Sequence, residues 1–297
     1  MENYPVPAQP IVRAMMDAAS QDAVNTVAFQ GAPGANSQIA VERMFAQAHP
    51  LPCFSFEDAL EAVQDGRAAR AMIPIENSLH GRVADIHFLL PESGLVIVGE
   101  HFLPIHYGLM ATGSMAEVRE VISHPQALGQ CRHWLRSNGL KPVAYEDTAG
   151  AAALVAQRGD SGLAAIAPVR AAEIYGLNLL AENIADSADN VTRFVVLALE
   201  GDTPAPGPGV MTTAIYQVKN QPAALYKALG GFATNRVNMT KLESYQSGSS
   251  FAATEFYSDF EGHPDEPHVA RALAELAFHT EWVRILGVYP QARSRGE

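Results

Sequence analysis

One short segment divides the chain into two parts. Residues 200–209 read EGDTPAPGPG and contain three prolines and three glycines. Proline cannot donate a backbone hydrogen bond, and both residue types disfavour the interior of helices and strands. We therefore predict a linker over residues 201–211. A chain of 297 residues also exceeds a typical single domain, so we expect one domain on each side of the linker.

Before the linker, short apolar segments alternate with amphipathic ones. The segments with strand character are 27–29, 71–75, 95–98, 105–110, 121–122, 143–145, 163–167 and 194–199. A helix over 37–48 would bury Ile39, Met44 and Phe45, and Ser55 with Asp58 matches a capping box that opens the next helix. A further helix is predicted over 126–137. This alternation predicts an α/β domain with parallel sheets over 25–200, preceded over 1–24 by a tail or a loosely docked helix.

After the linker the pattern changes. Strand-like segments at 214–218, 237–245, 251–260 and 283–289 enclose two helical ones, with a turn at 246–249. The first helix would bury Leu225, Leu229 and Phe232, and the second would bury Val269, Leu273 and Leu276. The order βαββαβ predicts a ferredoxin-like domain over 212–290, followed by a tail over 291–297.

Charge and composition exclude several classes of function. A formal net charge of -12 argues against binding to nucleic acid or to an anionic membrane surface. Neither the two cysteines nor the ten histidines have metal-ligand spacing, so we expect reduced thiols and no metal. There is no Gly-Lys-Ser/Thr phosphate loop and no Gly-x-Ser-x-Gly elbow. The first 25 residues lack an apolar signal segment, so we expect a cytoplasmic protein.

Four polar turns in the first domain share one design, in which an apolar strand leads into a turn and then a helix. Their residues are Gly31 to Gly34 with Ser37, Glu76-Asn77-Ser78, His124-Pro125-Gln126, and Asp147-Thr148-Ala149-Gly150. Such turns lie at the carboxyl ends of parallel strands, where α/β proteins bind ligands. Helix N-termini offer unpaired N–H groups, so several of them in one cleft would bind an anion. Each turn taken alone is better explained as an ordinary helix cap, but four of them in one domain, together with residues 190–193, favour a cleft.

A fifth polar segment precedes the apolar strand 194–199. Asn190, Thr192 and Arg193 place a carboxamide, a hydroxyl and a guanidinium at the predicted mouth of that strand. Arginine binds carboxylates through two parallel hydrogen bonds, although a solvated surface arginine is an equally good interpretation. Glu76 could be an acid with a pKa raised by burial, or a partner of a helix dipole. His80 and His124 lie near the turns and could act as proton donors, but they are more simply explained as structural.

Five of these segments, in this order, resemble the motifs of prephenate dehydratases. They are FQGAPGANS (29–37), IPIENS (73–78) with Gly81 and Val83, SHPQAL (123–128), DTAGAA (147–152) and NVTRF (190–194). After the linker, NMTKLES (238–244) resembles an ACT domain. The resemblance implies an α/β protein with a two-lobed, periplasmic-binding-protein-like catalytic domain followed by a βαββαβ ferredoxin-like ACT domain.

The same resemblance implies the conversion of prephenate to phenylpyruvate, water and carbon dioxide in L-phenylalanine biosynthesis, without a cofactor. The family's catalytic threonine falls on Thr192, and Glu76 is the less favoured acid. The family's substrate arginine falls on Arg193. The full set of predicted substrate-binding residues is Ser37, Asn77, Ser78, Gln126, Thr148, Ala149, Arg193 and Phe194.

The second domain departs from the family pattern. Family members carry Gly-Ala-Leu and Glu-Ser-Arg-Pro turns that bind phenylalanine. Here these positions read Ala223-Ala224-Leu225 and Glu243-Ser244-Tyr245-Gln246, and Asn238 completes the predicted effector set. The missing glycine and arginine remove a close backbone approach and a charged donor. We expect L-phenylalanine as the effector, with weaker or modified inhibition, and a homodimer or homotetramer.

Two other functions stay open on the sequence. Arogenate dehydratases use the amino counterpart of prephenate, and the sequence does not separate a keto group from an ammonium. A non-catalytic small-molecule receptor is the alternative from another class, because two-lobed α/β clefts also serve in receptors.

Overall fold

The computed structural model describes residues 3–246 and 253–295. The chain forms two compact units. The first contains Met1–Leu89 and His101–Val195, and the second contains Leu90–Glu100 and Val196–Glu297. Residues 90–100 thus group with the second unit although they come well before the linker. The domain boundaries derived from the sequence stay predictions.

The first unit is α/β. In chain order, the elements before the linker are α1 (Gln9–Gln21), β1 (Thr26–Gln30), α2 (Asn36–Met44), β2 (His49–Cys53), α3 (Phe56–Gln64), β3 (Arg70–Asn77), β4 (Gly81–Arg82), α4 (Ala84–Glu92), β5 (Val96–Pro104), β6 (Gly108–Ala111), β7 (Glu120–Ser123), α5 (Pro125–Gln130), α6 (Arg132–Ser137), β8 (Lys141–Ala144), α7 (Thr148–Arg158), β9 (Leu163–Ala167), α8 (Val169–Tyr175), β10 (Asn178–Ala181) and β11 (Val191–Ala198). Three of these elements, α4, β5 and β11, extend across the boundary between the two units.

One sheet of the first unit has the order β2-β1-β3-β11. β1 runs parallel to both β2 and β3, and the short β4 pairs antiparallel with β3. The sequence did not predict β2, whose residues His49–Cys53 include Pro50 and Pro52. Proline is tolerated in a strand at a sheet edge, where one row of amides has no partner strand, and β2 lies at the end of this order.

The second sheet of this unit has the order β10-β6-β9-β7-β8. β7 is parallel to β8 and β9, whereas β6 is antiparallel to β9 and β10. The prediction of parallel sheets is therefore wrong for β6 and β10. Two sheets, each with its own helices, confirm the predicted two-lobed α/β fold.

Two predicted helices differ from the observed ones. In α2, Met44 is 37 % exposed and Ile39 is half-buried, while Ala40 and Val41 face the core, so the predicted buried face is wrong. The segment 126–137 forms α5 and α6 instead of one helix, with a break at Cys131. The carboxylate of Asp186 accepts a hydrogen bond from the His133 backbone N–H at 3.2 Å, and it thereby caps the start of the second piece.

Other local predictions agree with the structure. Ser55 and Asp58 form the predicted capping box at the start of α3. Both cysteines, Cys53 and Cys131, are buried free thiols, and burial raises the pKa of each to about 12. Within the described part of the chain, no helix is long and apolar enough to cross a membrane.

The second unit has the predicted order βαββαβ. Its elements after the linker are β12 (Val210–Val218), α9 (Ala224–Thr234), β13 (Met239–Gln246), β14 (Ala253–Glu261), α10 (Pro267–His279) and β15 (Thr280–Pro290). The strands pair antiparallel in the order β13-β14-β12-β15, which confirms the ferredoxin-like plan. Val269 and Leu276 are fully buried and Leu273 packs against the same core, as predicted. Beyond Gln246, the predicted turn at 246–249 lies outside the described residues.

Candidate active site

The strand that carries Thr192 begins earlier than predicted. β11 starts at Val191, and the Ser78 backbone N–H donates to the Val191 carbonyl at 2.9 Å. Thr192 and Arg193 therefore lie within the strand, and Asn190 immediately precedes it. Neighbouring side chains of a strand point to opposite faces. Thr192 and Phe194 line a cavity of about 480 Å³, and Arg193 is not among its lining residues.

That cavity collects six of the predicted site residues. Its walls come from the β1–α2 loop, the end of β3, the starts of α5 and α7, and β11. The predicted residues that line it are Ser37, Asn77, Gln126, Thr148, Thr192 and Phe194. The cavity is thus built where the polar turns follow the strands, as expected for an α/β protein.

The remaining predicted residues lie elsewhere. The Arg193 side chain is 3 % exposed, and its Nη1 donates to Glu76 Oε1 at 2.9 Å. Ser78 Oγ donates to the Asp189 carbonyl at 2.7 Å and accepts from the Val191 N–H at 2.9 Å, so it ties the β3–β4 turn to β11. Ala149 is fully buried in the core under α7. These placements differ from the predicted contacts with substrate, because the side chains are used inside the protein wall.

Asn77 fixes the direction of the Thr192 hydroxyl. Its Oδ1 accepts hydrogen bonds from the backbone N–H groups of Leu79 at 3.0 Å and His80 at 3.1 Å. The amide is therefore oriented with Nδ2 towards Thr192 Oγ1 at 3.0 Å and Asn190 Oδ1 at 2.7 Å. Since Thr192 Oγ1 accepts from Asn77, its own proton remains available for a group in the cavity.

A chain of oriented amides continues behind Asn77. Asn190, only 1 % exposed, donates through Nδ2 to Gln130 Oε1 at 2.6 Å. Gln130 Nε2 then faces His80 Nδ1 at 3.0 Å. The direction of each amide sets that of the next, so the wall beside Thr192 is rigid. No motif points to Gln130, because it falls inside the helix predicted over 126–137.

Two helix caps supply titratable groups to the cavity. His124 Nδ1 accepts from the Gln126 N–H at 3.2 Å at the start of α5, and Asp147 Oδ1 accepts from the Gly150 N–H at 2.7 Å at the start of α7. Burial lowers the pKa of His124 and raises the pKa of Asp147. Both caps use backbone N–H groups that the sequence had suggested for an anion, so side chains must supply more of the anion's hydrogen bonds.

The sequence missed two further lining residues, Arg82 and Tyr107. Arg82 is the second residue of β4, pairs with Glu76 of β3 and brings a guanidinium to the cavity wall. Tyr107 is 7 % exposed. The motifs indicate Arg193 instead, because charge and proximity in sequence do not reveal which face of a strand a side chain occupies.

Close contacts hold the two lobes together beside the cavity. Gly34 has φ +92°, and a Cβ there would lie 2.9 Å from Ala171 Cα of α8. Tyr175 Oη also donates to the Pro33 carbonyl at 2.8 Å. The Gly31–Gly34 turn therefore needs glycine at its last position for conformation and for space.

The predicted effector residues lie in the second unit. Ala223 is the N-cap residue of α9 and adopts a left-handed conformation with φ 59°. Asn238 donates through Nδ2 to Glu261 Oε2 at 3.1 Å. Asn238 also lines a cavity of about 340 Å³. Glu243 lies 3.5 Å from Lys241 Nζ on β13, next to Ser244. Ala224 is buried, and Leu225 packs against the core of the unit.

Among residues 3–246 and 253–295, no group of three or more His, Cys, Asp or Glu side chains could hold a metal ion.

Comparison with known proteins identifies the family. The family model for prephenate dehydratase matches residues 27–202. A bifunctional N-acyl-homoserine lactone acylase/prephenate dehydratase of Komagataeibacter europaeus is 49% identical over 272 residues, which is 91% of this chain and 97% of that protein. Arogenate dehydratase/prephenate dehydratase 2 of Arabidopsis thaliana is 38% identical over 275 residues, covering 89% of this chain and 72% of its own length.

Solved structures agree with this assignment. The structure of GqqA, described as a novel type of quorum quenching acylase, aligns with a TM-score of 0.84 at 49% identity over 90% of this chain and 98% of that one. Prephenate dehydratase of Arthrobacter aurescens in complex with L-Phe aligns with a TM-score of 0.81 at 33% identity, over 90% of each chain. The chain therefore belongs to the prephenate dehydratase family of enzymes.

Proposed function

We propose that this enzyme converts prephenate to phenylpyruvate, carbon dioxide and water in L-phenylalanine biosynthesis. The observation that carries the proposal is Thr192, whose hydroxyl accepts from Asn77 at 3.0 Å and keeps its own proton for the cavity. The receptor alternative is set aside because the chain belongs to a family of enzymes.

The reaction needs little beyond binding and orientation. Loss of the ring carboxylate together with the ring hydroxyl leaves an aromatic ring, so the product is strongly favoured. Thr192 would donate to the departing hydroxyl, while Ser37, Gln126 and Thr148 offer hydrogen bonds to the carboxylates. Orientation of the breaking bonds can remove about 7–11 kcal/mol of barrier when the geometry is good.

Arg82 is the guanidinium we assign to a substrate carboxylate, because it lines the cavity. Arg193 and Ser78 would not contact the substrate and would act through Thr192. Arg193 pairs with Glu76, and Ser78 joins the β3–β4 turn to β11, so both would hold Thr192 in place. Glu76 is then a structural partner and not the acid of the reaction.

The identity of the substrate is tested by supplying prephenate and arogenate to the enzyme in separate assays. We expect phenylpyruvate from prephenate at the higher kcat/KM. Preferential formation of phenylalanine from arogenate would identify the enzyme as an arogenate dehydratase, and the absence of product from both would overturn the proposal.

We also propose that the second unit binds L-phenylalanine and that the enzyme is a homodimer or homotetramer. The Arthrobacter aurescens relative is a complex with L-Phe. Inhibition is expected to be weaker than in members with the glycine and arginine turns, because Ala223 and Tyr245-Gln246 replace them. A dose series of L-phenylalanine and sedimentation analysis test both points; full inhibition at low concentration, or a monomer, would contradict them.

A second candidate activity is hydrolysis of the amide bond of N-acyl-homoserine lactones. It is favoured by the acylase name of a relative that is 49% identical across 97% of its length. The polar cavity with His124 and Asp147 would be the place for such hydrolysis. Release of homoserine lactone from an acylated substrate, measured by chromatography, tests it, and no release above the buffer rate would reject it.

A further inference from the structure

The proposed reaction consumes a proton. Prephenate carries two carboxylates, whereas phenylpyruvate carries one, and the other products, carbon dioxide and water, are neutral. Each turnover must therefore take one proton from solvent through the protein. The Thr192 hydroxyl is too weak an acid to be that source, and the Asn77 amide that donates to it does not exchange its proton in a reaction.

The cavity offers five titratable side chains, namely Arg82, Tyr107, His124, Glu146 and Asp147. A guanidinium does not release its proton at working pH. Burial raises the pKa of Tyr107 well above its usual range, so its phenol is an even weaker acid. Glu146 is exposed to solvent at the rim.

His124 is held in its neutral form. Its Nδ1 accepts a hydrogen bond from the Gln126 N–H, so Nδ1 cannot carry a proton without breaking the cap of α5. The ring is half-buried, and burial lowers the pKa of His124. An imidazole in this state is not a source of the required proton.

Asp147 has the opposite design. Its carboxyl group accepts the backbone N–H groups of Gly150, at 2.7 Å, and of Ala149, and both bonds lower its pKa, but burial outweighs them and raises the pKa. A protonated carboxyl can keep the Gly150 cap on Oδ1 while its second oxygen carries the proton. Its neighbours offer little positive charge. Tyr4 from the N-terminal segment, Tyr175 from α8 and Tyr145 are phenols beside it, and Glu146 repels its charge. Among the titratable neighbours, His124 favours the ionised carboxylate, and burial lowers the pKa of that imidazole.

We infer that Asp147 is the catalytic acid, which donates its carboxyl proton to the leaving hydroxyl either directly or through Thr192. This inference rests on the proposed function. As the C–C bond to the departing carboxylate breaks, its electron pair enters the ring, and the ring C–O bond breaks with its pair remaining on oxygen. That oxygen takes the proton and leaves as water, and the Asp147 carboxylate is reprotonated from solvent.

Substrate binding completes this arrangement. Two carboxylates entering the cavity oppose a further negative charge, so they favour the protonated form of Asp147. Arg82, which also lines the cavity, weakens this effect only in part, since one guanidinium faces two carboxylates. Burial already raises the pKa of Asp147 in the free protein. Binding of the dianion is therefore expected to take up a proton.

The test compares Asp147→Asn and Asp147→Ser with the unmodified full-length enzyme. Both replacements can still cap α7, but neither carries an acid. We expect kcat on prephenate to fall by about 10²–10⁴-fold in both variants, with a smaller change in KM. The unmodified enzyme should lose kcat/KM as pH rises through the pKa of Asp147, and the variants should lack that decline. Asp22→Asn, which changes an aspartate cap outside the cavity, is the matched control.

A second readout does not depend on turnover. Prephenate is mixed with Thr192→Val enzyme in weak buffer containing a pH indicator, and proton uptake is recorded. Uptake should be present in this variant and absent in Thr192→Val/Asp147→Asn. If one Asp147 variant unfolds, the other variant together with the uptake measurement decides.

The outcomes separate this inference from the proposed function. If the unmodified enzyme forms phenylpyruvate while both Asp147 variants keep kcat and its pH dependence within about twofold, the inference is wrong and the proposed function stands. If the unmodified enzyme forms no product from prephenate or arogenate, the proposed function is wrong and the inference falls with it.

Discussion

Two helix starts, one in each unit, show what the sequence motifs preserve. At α7 the N-cap residue is Asp147, which has an extended backbone and accepts the Gly150 N–H at 2.7 Å. At α9 the N-cap residue is Ala223, which has a left-handed backbone with φ 59° and no side-chain cap. The first start carries both a cap and a titratable group. The second keeps a backbone conformation suited to glycine although the residue there is alanine.

A departure from the family pattern has different effects at these two helix starts. At Ala223 the chain keeps the turn geometry, so the substitution changes the free energy of folding and the space beside the turn. Left-handed backbone costs a non-glycine residue about 1–2 kcal/mol. In the cavity, by contrast, the polar groups hold one another by hydrogen bonds, so a single substitution there should change the chemistry.

We expect the largest loss of activity from a substitution in the cavity, at Thr192. Thr192→Val removes the hydroxyl that Asn77 orients and keeps a β-branched residue suited to a strand. We expect kcat on prephenate to fall by about 10²–10⁴-fold, with the melting temperature little changed. Thr234→Val at the exposed end of α9 is the control. Normal turnover by Thr192→Val would show that the oriented hydroxyl is not used.

The next prediction separates a structural arginine from a substrate arginine. Glu76→Gln replaces the carboxylate that Arg193 Nη1 contacts at 2.9 Å. Weakening a charged hydrogen bond to a buried guanidinium should reduce the free energy of unfolding by about 1.5–3 kcal/mol. KM for prephenate should stay nearly unchanged, because neither Glu76 nor Arg193 lines the cavity. The solvent-exposed Glu61→Gln on α3 is the control.

A large rise in KM for Glu76→Gln at unchanged stability would favour the original assignment of Arg193 to the substrate. Chemical denaturation gives the free energy of unfolding, and initial-rate kinetics on the same preparations give KM.

The Ala223→Gly variant tests the conformational cost at the start of α9 in the second unit. Glycine adopts the left-handed conformation without a steric cost, so we expect a gain of about 0.5–1 kcal/mol in unfolding free energy and stronger inhibition by L-phenylalanine. The matched control is Ala274→Gly on the exposed face of α10, where glycine should cost about 1 kcal/mol. Equal losses of stability in both variants would contradict the left-handed strain at Ala223.

The smallest expected effect concerns the pH dependence of stability. Burial raises the pKa of Asp147 above the usual value of 3.8. Its ionised form therefore opposes folding, and the stability it contributes is full below about pH 3.9 and lost as pH rises through the raised pKa. Asp147→Asn should be more stable than the unmodified enzyme near pH 7, and the difference should shrink at low pH. A difference that grows on acidification would contradict this sign.

The sequence predicted the βαββαβ order and the capping box at Ser55, because both depend on local periodicity and local hydrogen bonds. It placed Ser37, Asn77, Thr148 and Thr192 in one cavity through motif order. It did not place Arg193, because the start of β11 depends on pairing with the distant Ser78. It also did not predict β2, whose prolines are tolerated only because of its place at the sheet edge.

The central claim is that the cavity of the first unit holds prephenate beside Thr192. The most direct measurement is a crystal structure of the Thr192→Val variant with prephenate bound. We expect the ring hydroxyl beside position 192 and Asp147, with the carboxylates near Ser37, Thr148 and Arg82. Prephenate bound outside this cavity, or with its hydroxyl facing away from position 192, would contradict the account.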